Sequence, residues 1–96
     1  MGTRARHKPS RLAVKLRQIR AALELSQNGM IKLMGAEKMI GQNTISEYEL
    51  GKREPPLWIL LRYARAAVVC TDVLIDDDLD LPEKLPSKPK HSRKSL

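Results

Sequence analysis

Aromatic residues and cysteine are scarce in this 96-residue sequence, which has no phenylalanine, one tryptophan, two tyrosines and a single cysteine. A lone Cys70 closes no internal disulfide, so nothing requires an oxidising compartment, and a small buried side chain is its expected role. With so few aromatics, aliphatic residues, alanine and four methionines must build the core, which suits short packed helices better than a β-sandwich. Long apolar runs are missing too. No stretch of about 18 apolar residues is present to span a bilayer, and the Arg-rich start lacks the continuous apolar segment of a secretory signal. A cytoplasmic location is expected. The length allows one compact domain with tails and no second core.

The chemistry of catalysis is equally thin. There is no Ser/His/Asp or Cys/His set in sequence that would fold, and no glycine-rich phosphate loop. His7 and His91 stand near the two ends, far from any Cys or other His at ligand spacing. No enzyme activity, metal or cofactor is expected.

Acidic residues are absent from residues 1–20, which carry Arg4, Arg6, Lys8, Arg11, Lys15, Arg17 and Arg20. Residues 72–83 reverse the sign with six acids, Asp72, Asp76, Asp77, Asp78, Asp80 and Glu83, and five basic residues follow from Lys84 on. The formal charge of +7 therefore sits at the two ends. A basic segment of this density favours polyanions, because neutralising phosphates releases condensed counterions. Anionic membrane would attract it as well, but residues 1–10 have almost no large apolar side chain to insert.

Periodicity divides the rest. Residues 1–9 have nothing to bury and read as a flexible basic arm. Leu12, Leu16, Ile19 and Leu23 recur at helical spacing, predicting a first helix over 10–23 with Lys15, Arg17 and Gln18 on its other faces. Ser26 is a cap for a second helix with Met30, Ile31 and Met34 inward and Gly35 as its stop. A third is predicted over Gln42–Leu50, with Ile45 and Tyr48 inward and Gly51 in the left-handed conformation beyond it. Pro55 and Pro56 then set the start of a fourth, with Leu57, Leu60, Leu61, Ala64 and Ala67 as its core stripe. A short fifth near Thr71–Ile75 turns Val73 and Leu74 inward. The expected organisation is an arm at 1–9, an all-α five-helix domain at 10–76, and an acidic strip then a disordered basic tail at 77–96.

The two consecutive short helices at 26–35 and Gln42–Leu50 carry the functional signal. A major groove admits one helix whose exposed N-terminal side chains reach base edges. Gln42, Asn43, Ser46 and Glu47 are the outward polar residues there. Gln and Asn pair with adenine through two hydrogen bonds, and Glu accepts from cytosine. Lys52 and Arg53 follow where phosphates would pass.

Leu25-Ser26-Gln27, with Thr44-Ile45-Ser46-Glu47-Tyr48-Glu49-Leu50-Gly51-Lys52-Arg53-Glu54-Pro55, resembles the Cro/cI-type (XRE) helix-turn-helix family over residues 12–75. The resemblance implies a lambda-repressor-like fold and a transcriptional regulator of double-stranded DNA. It further implies that Gln27 contacts phosphate and buttresses the recognition helix. Gln42, Asn43, Ser46 and Glu47 fall where the family meets bases, and Thr44 where it meets the DNA backbone. Arg20 and Glu49 fall on positions that form a structural ion pair between helices one and three. Two departures stand out. The turn at 36–41 is about four residues longer than usual, with Ala36-Glu37-Lys38-Met39 as the insert. Leu50 is apolar where many relatives are polar or basic, and its expected role is packing. The run from Val73-Leu74-Ile75-Asp76-Asp77 to Leu81-Pro82 is similar to a bacterial subgroup of such regulators.

A homodimer with one recognition helix in each of two major-groove segments is the expected binding form, because a single domain offers few contacts. Trp58 on helix four is either a dimer contact or a lid packed under Leu79 and Leu81. The alternative function is an antitoxin-like module that binds a protein partner on the same scaffold.

Overall fold

A computed structural model describes residues 10–85. These form α1 (Leu12–Ala22), α2 (Gln27–Met34), α3 (Gln42–Leu50), α4 (Leu57–Ala67) and α5 (Thr71–Ile75), and no strand occurs among them. The two basic tails predicted from composition lie outside the described residues.

The predicted stripe of α1 is the buried one. Leu12, Leu16, Ile19 and Leu23 join Met30, Ile31 and Met34 of α2, Ile45 and Tyr48 of α3, Leu60, Ala64 and Ala67 of α4, and Leu74 of α5 in one core. Ser26 caps α2 as predicted, its hydroxyl accepting from the Gly29 amide at 2.9 Å. Gly35 and Gly51 end α2 and α3 at φ of 67° and 78°, in the left-handed region where a side chain would be strained. Gly35 turns the chain out of α2 into the segment that leads to α3, and Gly51 turns it out of α3 toward α4. Val68 ends α4 in the same region at φ 58°, which for a β-branched residue is a strained position.

Several expectations are corrected. Helix α1 begins at Leu12 rather than Ser10, and the Ser10 and Arg11 amides before it are held by a distant carboxylate. Asp77 accepts from the Ser10 amide and hydroxyl, both at 2.9 Å, and from the Arg11 amide at 3.1 Å. Helix α4 is turned relative to the predicted stripe. Ile59 and Tyr63 are fully enclosed, while Leu57 is 78% exposed and Leu61 is exposed as well. Trp58 is 38% exposed, with the Arg62 guanidinium 5.9 Å from its ring centroid, and is therefore not sealed beneath a lid. Cys70 is exposed, because it precedes α5 at the surface instead of filling the core.

The largest correction concerns Lys15, predicted on a polar face and found 1% exposed. Its ammonium donates to the carbonyls of Val73 at 2.7 Å, Asp76 at 3.0 Å and Leu79 at 2.7 Å. A lysine has three N–H donors, and all three are used on carbonyls at the end of α5 and just beyond it, of which that of Asp76 also accepts from the Leu79 amide. Arg11 adds bonds to the Asp77 carbonyl at 2.6 Å and to the Asp80 carboxylate. Leu81 and Leu85 rest against the core. The acidic stretch is thereby strapped along α1.

Arg11 holds the Asp80 carboxyl below its usual value of 3.8. That link contributes stability above this pH and loses it as pH falls through the lower folded value. Asp77 has the greater structural reach, since it supplies a carboxylate at the start of a helix with no cap of its own. Asp77→Ala should cost about 1–2 kcal/mol, the usual worth of a lost N-terminal cap. An unchanged midpoint in urea would show that the strap contributes nothing to α1.

Candidate nucleic-acid interface

Helix α3 is held from behind by a chain of polar contacts that begins on α1. Arg20 donates from Nε to Glu49 Oε2 at 2.6 Å and from a terminal nitrogen to Oε1 at 3.0 Å, a two-pronged pair. A third Arg20 donor reaches the Leu25 carbonyl at 3.0 Å, fixing the entry to α2. The predicted structural ion pair is therefore present, and Glu49 is buried within it. Hydrogen bonding to Glu49 is the main cause that raises the Arg20 pKa above its ordinary value.

The chain continues outward through α2. The Gln27 amide nitrogen donates to Glu49 Oε1 at 3.3 Å, and the Gln27 oxygen accepts from Gln42 Nε2, also at 3.3 Å. Gln27 thus links a buried carboxylate to the first residue of α3, and its position fits a buttress. Tyr63 of α4 closes the rear of this network. Its hydroxyl is buried without a partner among the described residues, and burial, then the Glu49 charge, raises its pKa far above the ordinary value.

The outward side of α3 carries the residues singled out from the sequence. Gln42 and Asn43 are exposed, and Thr44, Ser46 and Glu47 are half-buried. Gly41 precedes the helix in an extended conformation with no side-chain cap, and the first turn has no acidic residue. The positive end of the helix is therefore not neutralised, which suits an anionic surface.

At the other end of α3, the left-handed Gly51 folds the chain back. The Lys52 and Arg53 amides donate to the Glu47 carbonyl at 2.9 and 3.3 Å. Lys52 and Arg53 are exposed side by side. Arg53 Nε also donates to Glu47 Oε1 at 2.8 Å. Glu47 thus has a cation beside it, which offsets its negative charge on this face. This pair was not legible in the sequence, because residues six apart meet only after the reversal at Gly51. Arg17, read as a solvated side chain, donates to the Glu49 carbonyl near the C-terminal end of α3.

The long turn is anchored. Ala36 is buried, and its carbonyl accepts from the amides of Met39 at 2.9 Å and Ile40 at 3.0 Å. Ile40 packs against the core, so Glu37, Lys38 and Met39 alone project. Leu50 does not pack as predicted. It is 60% exposed, because the buried side of α3 is filled by Ile45, Tyr48 and Glu49.

Among the described residues, no group of His, Cys, Asp or Glu is placed to hold a metal ion, and no helix is long and apolar enough to cross a membrane. No curated protein matches the chain. Residues 16–67, more than half of the chain, match the helix-turn-helix family, and the match encloses most of α1 and all of α2, the long turn, α3 and α4. The five-helix arrangement, the Arg20–Glu49 pair and that match together place the chain in the helix-turn-helix family of DNA-binding proteins, of the Cro/cI (XRE) type.

Proposed function

We propose that this protein is a transcriptional regulator that reads double-stranded DNA sequence-specifically, laying α3 in the major groove. The observation that carries the reading is the outward row of Gln42, Asn43, Ser46 and Glu47 on a helix pinned from behind by Glu49 and Gln27. Amide side chains identify adenine only if their positions are fixed, and the buried ion pair supplies the fixed base. Gln42 keeps its bond to Gln27 and presents its second N–H and its oxygen to a base edge, while the second N–H of Gln27 serves a phosphate. Thr44, Lys52 and Arg53 take the flanking phosphates, which set register without reading sequence.

Binding as a homodimer follows from the size of the surface. One α3 spans a few base pairs, whereas two related by a twofold axis reach half-sites about 34 Å apart. The exposed Leu57, Trp58 and Leu61 of α4 give a second copy an apolar surface to cover.

The test is selection of bound duplexes from a random pool, followed by titration of variants. Gln42→Ala and Asn43→Ala should each lose about 1–3 kcal/mol on the selected duplex and little on random DNA. Equal losses on both would reduce α3 to a non-specific surface. Enriched half-sites without a repeat near one helical turn would remove the twofold arrangement.

A further inference from the structure

Leu50 is an exposed leucine at the C-terminal end of an otherwise polar helix face. Asn43, Glu47 and Leu50 are spaced by four and three residues, which places them in one line along α3. The buried residues Ile45, Tyr48 and Glu49 occupy the opposite side. Leu50 therefore continues the row proposed to meet bases, and at 60% exposure its side chain has little protein around it. Seven residues of helix advance it about 10 Å beyond Asn43, close to three base steps of about 3.4 Å.

What surrounds Leu50 selects its partner. Lys52 and Arg53 are exposed just beyond it, and Glu47 is already paired with Arg53. An apolar partner surface would have to cover Leu50 while accommodating two cations beside it. A major groove offers that arrangement ready-made, with phosphates along the walls and, on its floor, one strongly apolar group, the C5-methyl of thymine. Against the polar edge of guanine or cytosine, the same leucine would displace water without replacing its hydrogen bonds.

We infer that Leu50 is a specificity-determining residue that recognises a thymine methyl in the half-site, about three base steps from the base met by Asn43. The inference rests on the proposed major-groove reading by α3 and adds an apolar element to it. Leu50 selects by excluding water from a methyl group, whereas Gln42 and Asn43 select by hydrogen bonds.

Deoxyuridine tests this directly, because it keeps every hydrogen-bonding group of thymine and lacks only the methyl. The duplex selected from the random pool is made with each thymine replaced in turn, and the wild-type protein and Leu50→Ala are titrated on the set. One replacement per half-site should weaken wild-type binding about three- to tenfold, the worth of burying one or two methyl-sized groups. The same replacement should leave Leu50→Ala unaffected, since that variant has already lost the contact. Truncation of an exposed side chain should leave the thermal midpoint near that of the wild type, so a folding defect is distinguishable. An enriched sequence with no replacement that separates the two proteins overturns the role of Leu50 alone. A pool with no enriched sequence overturns the major-groove reading and this inference with it.

Discussion

Glu49→Ala should cost the domain about 3–5 kcal/mol, the range for removing one partner of a buried ion pair. The Glu49 carboxylate is 4% exposed and Arg20 is 25% exposed. Alanine at position 49 strands a guanidinium and two of its donors. It also removes the acceptor of Gln27, and through Gln27 the support of Gln42. Against a total stability of about 5–15 kcal/mol for a domain, this loss brings unfolding near to working temperature. Urea denaturation measures it.

The double variant Arg20→Leu with Glu49→Leu separates stability from function. Replacing both charges with apolar groups of similar volume is often close to neutral, so the double variant should recover most of the stability lost by Glu49→Ala. Its binding to the selected duplex should remain weak, because Gln27 has still lost its anchor and α3 its polar support. Full recovery of binding would mean that core packing alone orients α3. A double variant as unstable as Glu49→Ala would mean that the cost lies in packing around Tyr63 and not in the stranded charge.

Lys15→Met should cost about 2–4 kcal/mol. Methionine keeps an unbranched apolar stem but removes the Lys15 donor from the carbonyls of Val73, Asp76 and Leu79; Asp76 keeps the Leu79 amide, and a buried polar group left unpaired costs about 1–3 kcal/mol. Relief from burying an ammonium offsets part of that. Amides of residues 76–85 should exchange with solvent faster in the variant, while those of α3 should change less, since the Lys15 bonds run to α5 and the strap. Wild-type stability and exchange would sink the account of Lys15 as the anchor of this segment.

Burial, the dominant cause, lowers the Lys15 pKa below 10.5. The folded state therefore binds fewer protons than the unfolded chain between the lowered value and 10.5, and stability gains with rising pH in that window. Lys15→Met removes the group and should remove that gain.

The boundaries of α3 and α5 were legible from the sequence to the residue, as were the Ser26 cap, the stop at Gly35 and the left-handed Gly51. Each depends on neighbours in the chain: a hydroxyl three residues before an amide, or a residue without a Cβ where the backbone turns back. The outward placement of Gln42 and Asn43 followed in the same way from Ile45 and Tyr48 facing inward. Helix α4 was turned differently, because Leu57 and Leu61 satisfy the apolar period as well as Ile59 and Tyr63 do. Period alone does not choose between two overlapping apolar stripes. Cys70 was misplaced for a related reason, since a residue type that is usually buried is a prior and not a position, and of the two readings of Trp58 the structure removes the covered one.

Taken alone, the amino-acid sequence determined five short helices, their caps and stops, the family to which they belong and the polar row on α3, all of which depend on chemistry within a few residues. Only the tertiary structure decided that Lys15 is buried, that Asp77 closes the start of α1, that Arg53 pairs with Glu47 and that Leu50 stands exposed at the end of α3. The reason is reach. A helix fixes the order of side chains around its own axis, but which carbonyl or carboxylate waits across the gap depends on segments up to 69 residues away in the chain, as for Arg11 and Asp80.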